Sequence, residues 1–585
     1  MRKGIGVSPG VAIGTAYCIH QVFVAVDGPP LTGDRARAEL ERFSKAKVKV
    51  TTDLRAVRRK VLQQVGESEA AIFQVHEAIL HDSAFSKRVE EWILGEGLTV
   101  QAALRRLLDD YTSLFARTKD EYLRERLADV RDVVLRLSAE LTPVLSQKDP
   151  ALKGPLVVIA DELLPSQVML IGDRAMAGIV TQSGGQTSHA AILARSRGIP
   201  AVSGVRGILG HCRTGDVVVV DGREGHVLIN PDAETESAYR KLEREFFLLK
   251  GELAANRDHS AVSADGEKVE LLANINGVAD ALAAVAMGAE GVGLFRTEYL
   301  FLTHADVPDE DEQCEAYARV IAASPNRRVT IRTLDLGGDK TVPYFGHGRE
   351  ANPFMGWRSI RLSFEHPEFF ATQIRAVLRA ASEAGPDASV HMMFPMVTTL
   401  EEMRRVRSMV RRIQRGLQAK GIESRGVQLG LMVEVPAAAV SIDNLLSVVD
   451  FVSIGSNDLV QYLMAADRDN PKVSHLCQPL SPPVLRVLKN VIQSGRAARK
   501  PVTLCGEMAG SPKGFLLLFG MGLRSFSMSP AFVPTIKELL THVTVAKARA
   551  VLRRAMELKT TSQVNRLTAN ALSEIAPGLE LLEIA

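Results

Sequence analysis

The spacing of apolar residues changes twice within the first 230 positions of the chain. Residues 1 to about 30 carry short apolar runs broken by glycines, a pattern typical of strands and turns. Apolar residues then recur every three or four positions with charges between them, which predicts helices over 35–65, 68–80, 83–94, 99–118 and 121–141. Strand-like runs return at 155–160, 177–181, 201–203, 216–221 and 226–229. The pattern predicts a helical domain, 31–144, inserted into a β/α domain made of residues 1–30 and 145–230.

The second half of the chain has a different rhythm. A charged, amphipathic stretch over 232–258 predicts a connector helix within residues 231–260. Beyond it, short apolar runs alternate with helical segments, at 269–275, 291–295, 329–334, 390–396, 429–435, 450–454, 501–505 and 524–528. Eight strands in about this length are the signature of a (β/α)8 barrel. We therefore expect a multidomain α/β protein whose residues 261–585 form a TIM-type barrel.

Polar residues stand where the predicted barrel strands end, which is the catalytic end of such barrels. The residues at these positions are Asn274, Arg296, Arg332, Glu434, Asn457 with Asp458, and Cys505. Glu434 and Asp458 would follow neighbouring strands, and two carboxylates with open coordination positions suit Mg²⁺. The alternative is that each carboxylate is simply paired with an arginine.

Four arginines, Arg296, Arg332, Arg358 and Arg468, are expected around the same barrel mouth without a nearby acidic surplus. Because the guanidinium fork matches carboxylate and phosphate oxygens, the cluster predicts a small ligand with several negative charges. Each arginine alone could instead be a surface charge. Cys505 is either a buried inert thiol or, at this end of its strand, a proton donor.

A histidine in the first half is the candidate nucleophile. His189 follows a glycine pair, 184–185, and the capping residues Thr187 and Ser188, so it falls in the first turn of a predicted helix. The positive end of a helix disfavours a charged imidazole and stabilises an anion, so a neutral His189 could accept a phosphoryl group. The alternative is a capped surface histidine beside a structural turn.

Composition narrows the class of protein. A chain of 585 residues predicts three or four domains, and a net charge of +3 gives no reason to expect nucleic acid as a partner. Five scattered cysteines without a CxxC pair favour reduced thiols in the cytoplasm over disulfides or a zinc cluster. Residues 4–26 lack charge, but glycines interrupt them, so we do not interpret them as a signal peptide. No apolar stretch is long enough to predict a membrane span.

Several motifs together resemble enzyme I of the phosphoenolpyruvate:sugar phosphotransferase system over essentially the whole chain. Residues 184–192 (GGQTSHAAI) resemble the phosphohistidine signature of phosphoenolpyruvate-utilising enzymes. Four further segments of this chain resemble the barrel motifs of the enzyme I branch: 335–340 (DLGGDK), 352–358 (NPFMGWR), 455–459 (GSNDL) and 465–468 (AADR). A serine, Ser456, stands where threonine is expected, and it keeps the hydroxyl.

The resemblance implies a reaction and its residues. Phosphoenolpyruvate would bind the barrel with Mg²⁺, His189 would take the phosphoryl group, and Cys505 would protonate the enolate to give pyruvate. The metal ligands would be Glu434 and Asp458, and the substrate contacts Arg296, Arg332, Arg358, Asn457, Asp458 and Arg468.

The resemblance also implies partners. The phosphocarrier protein HPr would dock on the inserted helical domain, near acidic residues such as Glu67, Glu69 and Asp82. A histidine of HPr would then take the phosphoryl group from His189, as the first step of sugar uptake. The enzyme would be a cytoplasmic homodimer joined through the barrel, and no membrane contact is expected.

Three other classes of protein are alternatives to a sugar-branch enzyme I. Pyruvate phosphate dikinase and phosphoenolpyruvate synthase use the same phosphohistidine domain, but they also carry an ATP-binding domain, and no GxxxxGK(S/T) loop occurs here. A regulatory nitrogen-branch enzyme would share the chemistry but usually has an extra N-terminal sensory domain. A non-catalytic scaffold would not need the charged constellation of the barrel mouth.

Overall fold

The computed structural model describes most of the chain in two compact units, Met1–Phe246 and Phe247–Glu583. The described residues are 1–19, 31–64, 76–116, 121–141, 154–161, 163, 176–183, 191, 194, 198–302, 307–337, 350, 352–422, 427–468, 470 and 472–579. Among these residues, no helix is both long and apolar enough to cross a lipid bilayer.

The first unit contains one eight-stranded sheet. Its strands are β1 (Arg2–Lys3), β2 (Ile5–Ser8), β3 (Val11–Ile19), β4 (Leu156–Ala160), β5 (Met176–Thr181), β6 (Ala201–Ser203), β7 (Val217–Asp221) and β8 (His226–Ile229), in the order β1-β8-β7-β3-β4-β5-β6-β2. Strand β3 pairs in parallel with β4, Thr15 opposite Leu156, and antiparallel with β7. Valines dominate these strands because both faces of the central sheet are covered.

Helices are inserted between β3 and β4, as the sequence predicts. They are α1 (Asp34–Gln64), α2 (Ser83–Gly95), α3 (Val100–Ala116) and α4 (Glu121–Leu141). Their apolar stripes form a separate core that includes Phe43, Leu54, Phe85 and Leu107. Of the helix predicted at 68–80, only the last part lies within the described residues, and 76–81 are helical. The helix α5 (Ala233–Ala255) follows β8 and lies within the stretch predicted to be helical, 232–258.

The second unit is a closed barrel of parallel strands. The strands are β9 (Glu270–Ile275), β10 (Val292–Arg296), β11 (Arg328–Arg332), β12 (Ser389–Phe394), β13 (Gln428–Val433), β14 (Phe451–Ile454), β15 (Val502–Leu504) and β16 (Ser525–Met528). Strand β16 pairs with β9 and closes the ring, so the predicted (β/α)8 barrel is confirmed. Each observed strand lies within two residues of its predicted bounds.

Helices surround this barrel. They are α6 (Val278–Ala286), α7 (Glu298–Leu302), α8 (Glu310–Ala323), α9 (Ile360–Glu365), α10 (Pro367–Glu383), α11 (Leu400–Ala419), α12 (Pro436–Val440), α13 (Ile442–Leu446), α14 (Ser456–Met464), α15 (Pro482–Ala497), α16 (Pro512–Met521), α17 (Val533–His542), α18 (Val545–Glu557) and α19 (Thr561–Ile575). Alternate strand residues pack inward and outward. Met393 and Met432 belong to a cluster with Leu294, Phe451 and Cys505, whereas Met392 and Leu431 belong to the larger core shared with the helices.

Candidate active site

The barrel strands bring the predicted residues to one mouth. Arg296 and Arg332 are the last residues of β10 and β11 and are paired in register. Glu434 directly follows β13, whose Val433 is opposite Ile454 of the neighbouring strand β14. Asp458 follows β14 in the first turn of α14. The carboxyl ends of parallel strands meet at one rim, so this arrangement gathers side chains distant in sequence.

Two of the arginines are buried in an ion-pair network around Asp335. The Asp335 carboxylate accepts two hydrogen bonds from Arg358, Nε and Nη2 each 3.0 Å away, and lies 3.1 Å from Arg332 Nη1. Arg332 Nη2 also donates to Glu298, at 2.6 Å. Arg358 Nη2 reaches Asp458 Oδ2, at 3.0 Å. The network fixes both guanidinium groups in place.

This network corrects one expectation from the sequence. The four arginines were predicted to lack an acidic surplus, but Glu298, Asp335 and Asp458 accompany them. Arg468 also lies 3.7 Å from Asp458 Oδ1. Of the four arginines, Arg296 is the one that forms no ion pair with a described residue. The net positive charge offered to a ligand is therefore smaller than four arginines imply.

Glu434 is a buried carboxylate to which no arginine of the described residues is hydrogen-bonded. It is 1% exposed, and its Oε1 accepts a hydrogen bond from the backbone N–H of Met396, at 2.6 Å. Burial and the nearby charges of Asp458 and Asp335 raise the pKa of Glu434 to about 8, although Arg332 and Arg358 oppose the shift. The alternative interpretation, carboxylates paired with arginines, thus describes Asp458 but not Glu434.

Glycine makes room beside Glu434. A Cβ at Gly455 would lie 3.0 Å from Glu434 Oε2. Asp458 Oδ1 is buried and has no hydrogen-bond partner among the described residues. These two carboxylates do not belong to any described group of three or more His, Cys, Asp or Glu side chains arranged to hold a metal ion. Such a pair suits a hard cation that keeps positions for substrate oxygens.

Cys505 lies directly after β15 and inside the barrel mouth. Its thiol is buried, with Sγ 3.5 Å from the Ile454 carbonyl, among apolar neighbours that include Leu294 and Met432. Burial raises the pKa of the Cys505 thiol, so it stays protonated at neutral pH. Asn274 Nδ2 donates to the Cys505 carbonyl, at 2.9 Å, and fixes the backbone there.

Of the remaining predicted residues, Asn457 and Asp82 are described by the structure, and the others are not. Asn457 Oδ1 accepts a hydrogen bond from the N–H of Glu507, at 3.1 Å, which ties the first turn of α14 to the segment after β15. Asp82 is the N-cap of α2 and accepts from the Ala84 N–H, at 2.8 Å. His189 with its glycine loop, and the acidic candidates Glu67 and Glu69, lie outside the described residues.

Sequence reasoning gave no role to three residues of the mouth. Glu298 and Asp335 hold the arginines, and the Tyr462 hydroxyl accepts from Arg358, at 3.1 Å, and donates to the Phe354 carbonyl, at 2.5 Å. Burial raises the pKa of Tyr462 to about 12. The positions of the two acids in the sequence could have indicated a role at the mouth, because Glu298 follows β10 by two residues and Asp335 follows β11 by three.

Comparison with known proteins agrees with this fold. Three family models match successive parts of the chain: "PEP-utilising enzyme, N-terminal" over 3–126, "PEP-utilising enzyme, mobile domain" over 152–225 and "PEP-utilising enzyme, PEP-binding domain" over 250–545. The last match covers the barrel and its mouth. The protein is thus of the class of phosphoenolpyruvate-utilising enzymes.

Relatives narrow the class. The chain is 39% identical to a phosphoenolpyruvate-protein phosphotransferase of Staphylococcus carnosus over 96% of this chain and 97% of that protein. It is 36% identical to a phosphoenolpyruvate-protein phosphotransferase of Haemophilus influenzae over 98% of this chain and 99% of that protein. The chain belongs to this family of transferases, known as enzyme I, as its motifs predict.

Proposed function

We propose that the protein transfers the phosphoryl group of phosphoenolpyruvate to its own His189 with release of pyruvate, and then to a histidine of the phosphocarrier protein HPr, as the first step of sugar uptake. The observation that carries this proposal is the barrel mouth, where fixed arginines, two adjacent carboxylates and a protonated thiol converge. These are the groups needed to bind an acidic phosphoester and to protonate its product.

The arginines would bind the phosphoryl and carboxylate groups of the substrate. Arg332 is held by Glu298 and Asp335, so its direction is set before the ligand arrives, and little side-chain entropy is lost on binding. Arg296 is its partner in register and is partly exposed. Arg358, Asn457, Asp458 and Arg468 complete the proposed substrate contacts. A phosphoenolpyruvate molecule at this mouth would have two guanidinium groups on adjacent strands.

Glu434 and Asp458 are the residues that we propose to hold a divalent cation, Mg²⁺ by the resemblance. The donor set fits, because carboxylate oxygens are the ligands that Mg²⁺ prefers and the nearby charge of Asp458 helps to raise the pKa of Glu434, a cost that a bound cation would offset. When bound, the ion would neutralise charge on the phosphoryl oxygens during transfer. The protein's own contribution is to keep both carboxylates buried and oriented, Glu434 by the Met396 N–H and Asp458 by Arg358.

Cys505 would complete the reaction at the carbon end of the substrate. When the phosphorus–oxygen bond breaks, the leaving enolate needs a proton on its terminal carbon to become pyruvate. The S–H bond of Cys505 would supply this proton and solvent would return it. The apolar neighbours of the thiol favour the neutral form that a proton donor requires.

The first unit would serve the phosphocarrier. We propose that residues 1–30 and 145–230 form the domain that carries His189, and that the helical insertion, 31–144, docks HPr. Residues 231–260 would connect this part of the chain to residues 261–585, which would bind phosphoenolpyruvate. The protein would work in the cytoplasm as a homodimer joined through the barrel. Exposed apolar side chains on barrel helices, such as Val440 at 78% and Leu282 at 58%, are compatible with such an interface.

Labelling with phosphate-labelled phosphoenolpyruvate and Mg²⁺ tests the proposal. We expect acid-labile, base-stable label on His189, one pyruvate per label, and transfer of the label to HPr. His189→Ala should abolish labelling. His211→Ala is the matched control, since His211 is an exposed histidine of the same unit whose ring bonds to the Gly207 carbonyl. Label elsewhere, or equal loss in both variants, would refute the role of His189; transfer only to a nitrogen-branch carrier would refute the sugar assignment.

A further inference from the structure

An arginine stripe runs along the outer face of α11, away from the catalytic residues. The stripe consists of Arg404, Arg407, Arg411 and Arg415, and it lines a groove of 480 Å³ together with Ser408, Ser447 and Val448. Residues at these spacings share one helix face, while Met403, Val406 and Val410 on the neighbouring face are buried in the barrel core. The groove therefore has a fully basic wall and a hydroxyl on either side.

Among the described residues, these arginines lack the carboxylate or ring partners that neighbouring arginines have. Arg375 and Arg379 on α10 are paired with Glu310. Arg405 stacks on the Phe364 ring with its guanidinium carbon 4.1 Å from the ring centroid. For Arg404, Arg411 and Arg415, by contrast, no carboxylate of the described residues lies within ion-pair distance, and the nearby Glu402 is used in the capping box of the helix. Among the described residues, Arg407 donates to the Val448 carbonyl, and Arg415 Nε donates to the Arg411 carbonyl, at 3.4 Å.

Such a stripe has an energetic cost that an anion would remove. Like charges four residues apart destabilise a helix, and Arg407, Arg411 and Arg415 form two successive pairs at that spacing. The stripe extends about 16 Å from Arg404 to Arg415 at 1.5 Å per residue. A compact phosphate could contact only part of this length, whereas a chain of several phosphoryl groups could contact all four guanidinium groups.

We propose that this groove binds a small ligand that carries several linked phosphoryl groups, a site distinct from the barrel mouth and independent of the proposed reaction. The oxygens of the ligand would accept from the arginine forks, with Ser408 as a neutral donor at the edge. A nucleoside polyphosphate and inorganic polyphosphate share this chemistry, and the choice of probes separates them.

Isothermal titration of the full-length protein without Mg²⁺ tests the proposal with inorganic phosphate, tripolyphosphate and ATP as probes. We expect one tripolyphosphate per chain, bound at least tenfold more tightly than inorganic phosphate and more weakly as salt rises. ATP tighter than tripolyphosphate would assign a nucleotide ligand, and equal or weaker binding would assign inorganic polyphosphate. A single-stranded oligonucleotide bound at the stripe in place of tripolyphosphate would overturn the proposal.

Charge-reversal variants locate the binding. Arg411→Glu with Arg415→Glu should weaken tripolyphosphate binding at least tenfold and leave pyruvate release from phosphoenolpyruvate unchanged. The matched control is Arg549→Glu with Arg553→Glu, two exposed arginines four apart on α18 that change the net charge equally. Equal weakening in both double variants would show a non-specific charge effect and overturn the site. A third result would also overturn the proposal: tripolyphosphate is displaced by phosphoenolpyruvate, and the α11 double variant still binds it. Such binding would lie at the barrel mouth.

Discussion

Asp335 determines the direction of both buried arginines at the barrel mouth. One carboxylate contacts three guanidinium nitrogens, two from Arg358 and one from Arg332, and all three residues are almost fully buried. Buried charges are tolerated only when they are paired and hydrogen-bonded, so the mouth depends on this single acid more than on any one arginine. The two guanidinium groups would therefore keep their orientation when a ligand binds.

Replacing Asp335 with asparagine should therefore harm both stability and substrate binding. Removing the charge takes from each buried arginine one of its two carboxylate partners, and breaking a buried pair costs about 3 kcal/mol of unfolding free energy. We expect D335N to raise KM for phosphoenolpyruvate at least tenfold. Urea unfolding followed by Trp357 fluorescence in a Trp92→Phe background measures the first effect. The control, Glu315→Gln, breaks the exposed Glu315–Arg319 pair and should cost less than about 0.5 kcal/mol.

Cys505 gives a prediction with a pH signature. A thiolate cannot donate a proton, so pyruvate release should fall as pH rises through the pKa of Cys505. Because burial raises that pKa, the fall should begin at a higher pH than for an ordinary thiol. Cys505→Ala should lower the pyruvate release rate at least about a hundredfold with substrate binding retained. A C505A enzyme with the wild-type rate and the wild-type alkaline limb would contradict the role as proton donor.

The sequence predicted which residues line the mouth better than how they are bonded. Arg296, Arg332, Glu434 and Cys505 each end or follow a strand, so strand periodicity alone located them. Asp335 lies in the loop after β11, and its partner Arg358 comes 23 residues later. No periodic pattern encodes how a loop returns, so the counter-ions of the arginines could not be predicted from spacing.

At the scale of the elements, strand register builds a polar layer at the opposite end of the barrel. Glu270, Arg328 and Ser525 begin β9, β11 and β16, and the Glu270 carboxylate accepts from both Arg328 and Ser525 Oγ, the latter at 2.7 Å. His391 on β12 adds a ring whose centroid lies 5.3 Å from that of Phe451. This end has no predicted substrate residue, and we infer that the layer stabilises the barrel.

His391 should make barrel stability depend on pH. Burial, together with the charge of Arg328, lowers the pKa of His391 to about 4, whereas the unfolded chain binds the proton near pH 6.5. The unfolded state therefore takes up the proton first, and stability present above pH 6.5 is lost as pH falls toward 4, by up to about 3 kcal/mol. Urea unfolding monitored by Trp357 in the Trp92→Phe background from pH 7 to 4 measures this loss.

Two substitutions separate this effect from general acid destabilisation. In His391→Gln, the slope of stability against pH should be smaller than in the parent. His475→Gln, which removes an exposed histidine of the same unit, should leave the slope unchanged. If His391→Gln kept the parent slope, another group would have to account for the acid sensitivity.

Elements were the most predictable level of this protein. Strand β3 and the hairpin strand β8 match their predicted bounds, because valine and isoleucine runs are flanked by glycine turns. The helix α4 also matches, since its apolar spacing is unbroken. Barrel strands shifted by one or two residues, because their ends are set by pairing across the ring rather than by the strand's own sequence.

At the scale of the whole molecule, the chain consists of two units with separate apolar cores. The helices of the first unit enclose Phe43 and Leu107, and the barrel encloses its own continuous core with the surrounding helices. The two tryptophans of the chain report on these cores individually, because Trp92 lies on α2 and Trp357 lies beside Arg358 at the mouth. A single unfolding transition for the full chain is therefore not expected.

Ligand binding should then stabilise one unit selectively. A ligand that binds only the folded barrel raises its stability by RT ln(1 + [L]/Kd), about 2.7 kcal/mol at a hundredfold excess over Kd. With phosphoenolpyruvate and Mg²⁺ added to a His189→Ala protein, which cannot turn over, the urea midpoint of Trp357 in the Trp92→Phe variant should rise. The midpoint of Trp92 in the Trp357→Phe variant should stay constant. Midpoints that rise together in both variants would mean that the units unfold as one, and a rise for Trp92 alone would move the phosphoenolpyruvate site to the first unit.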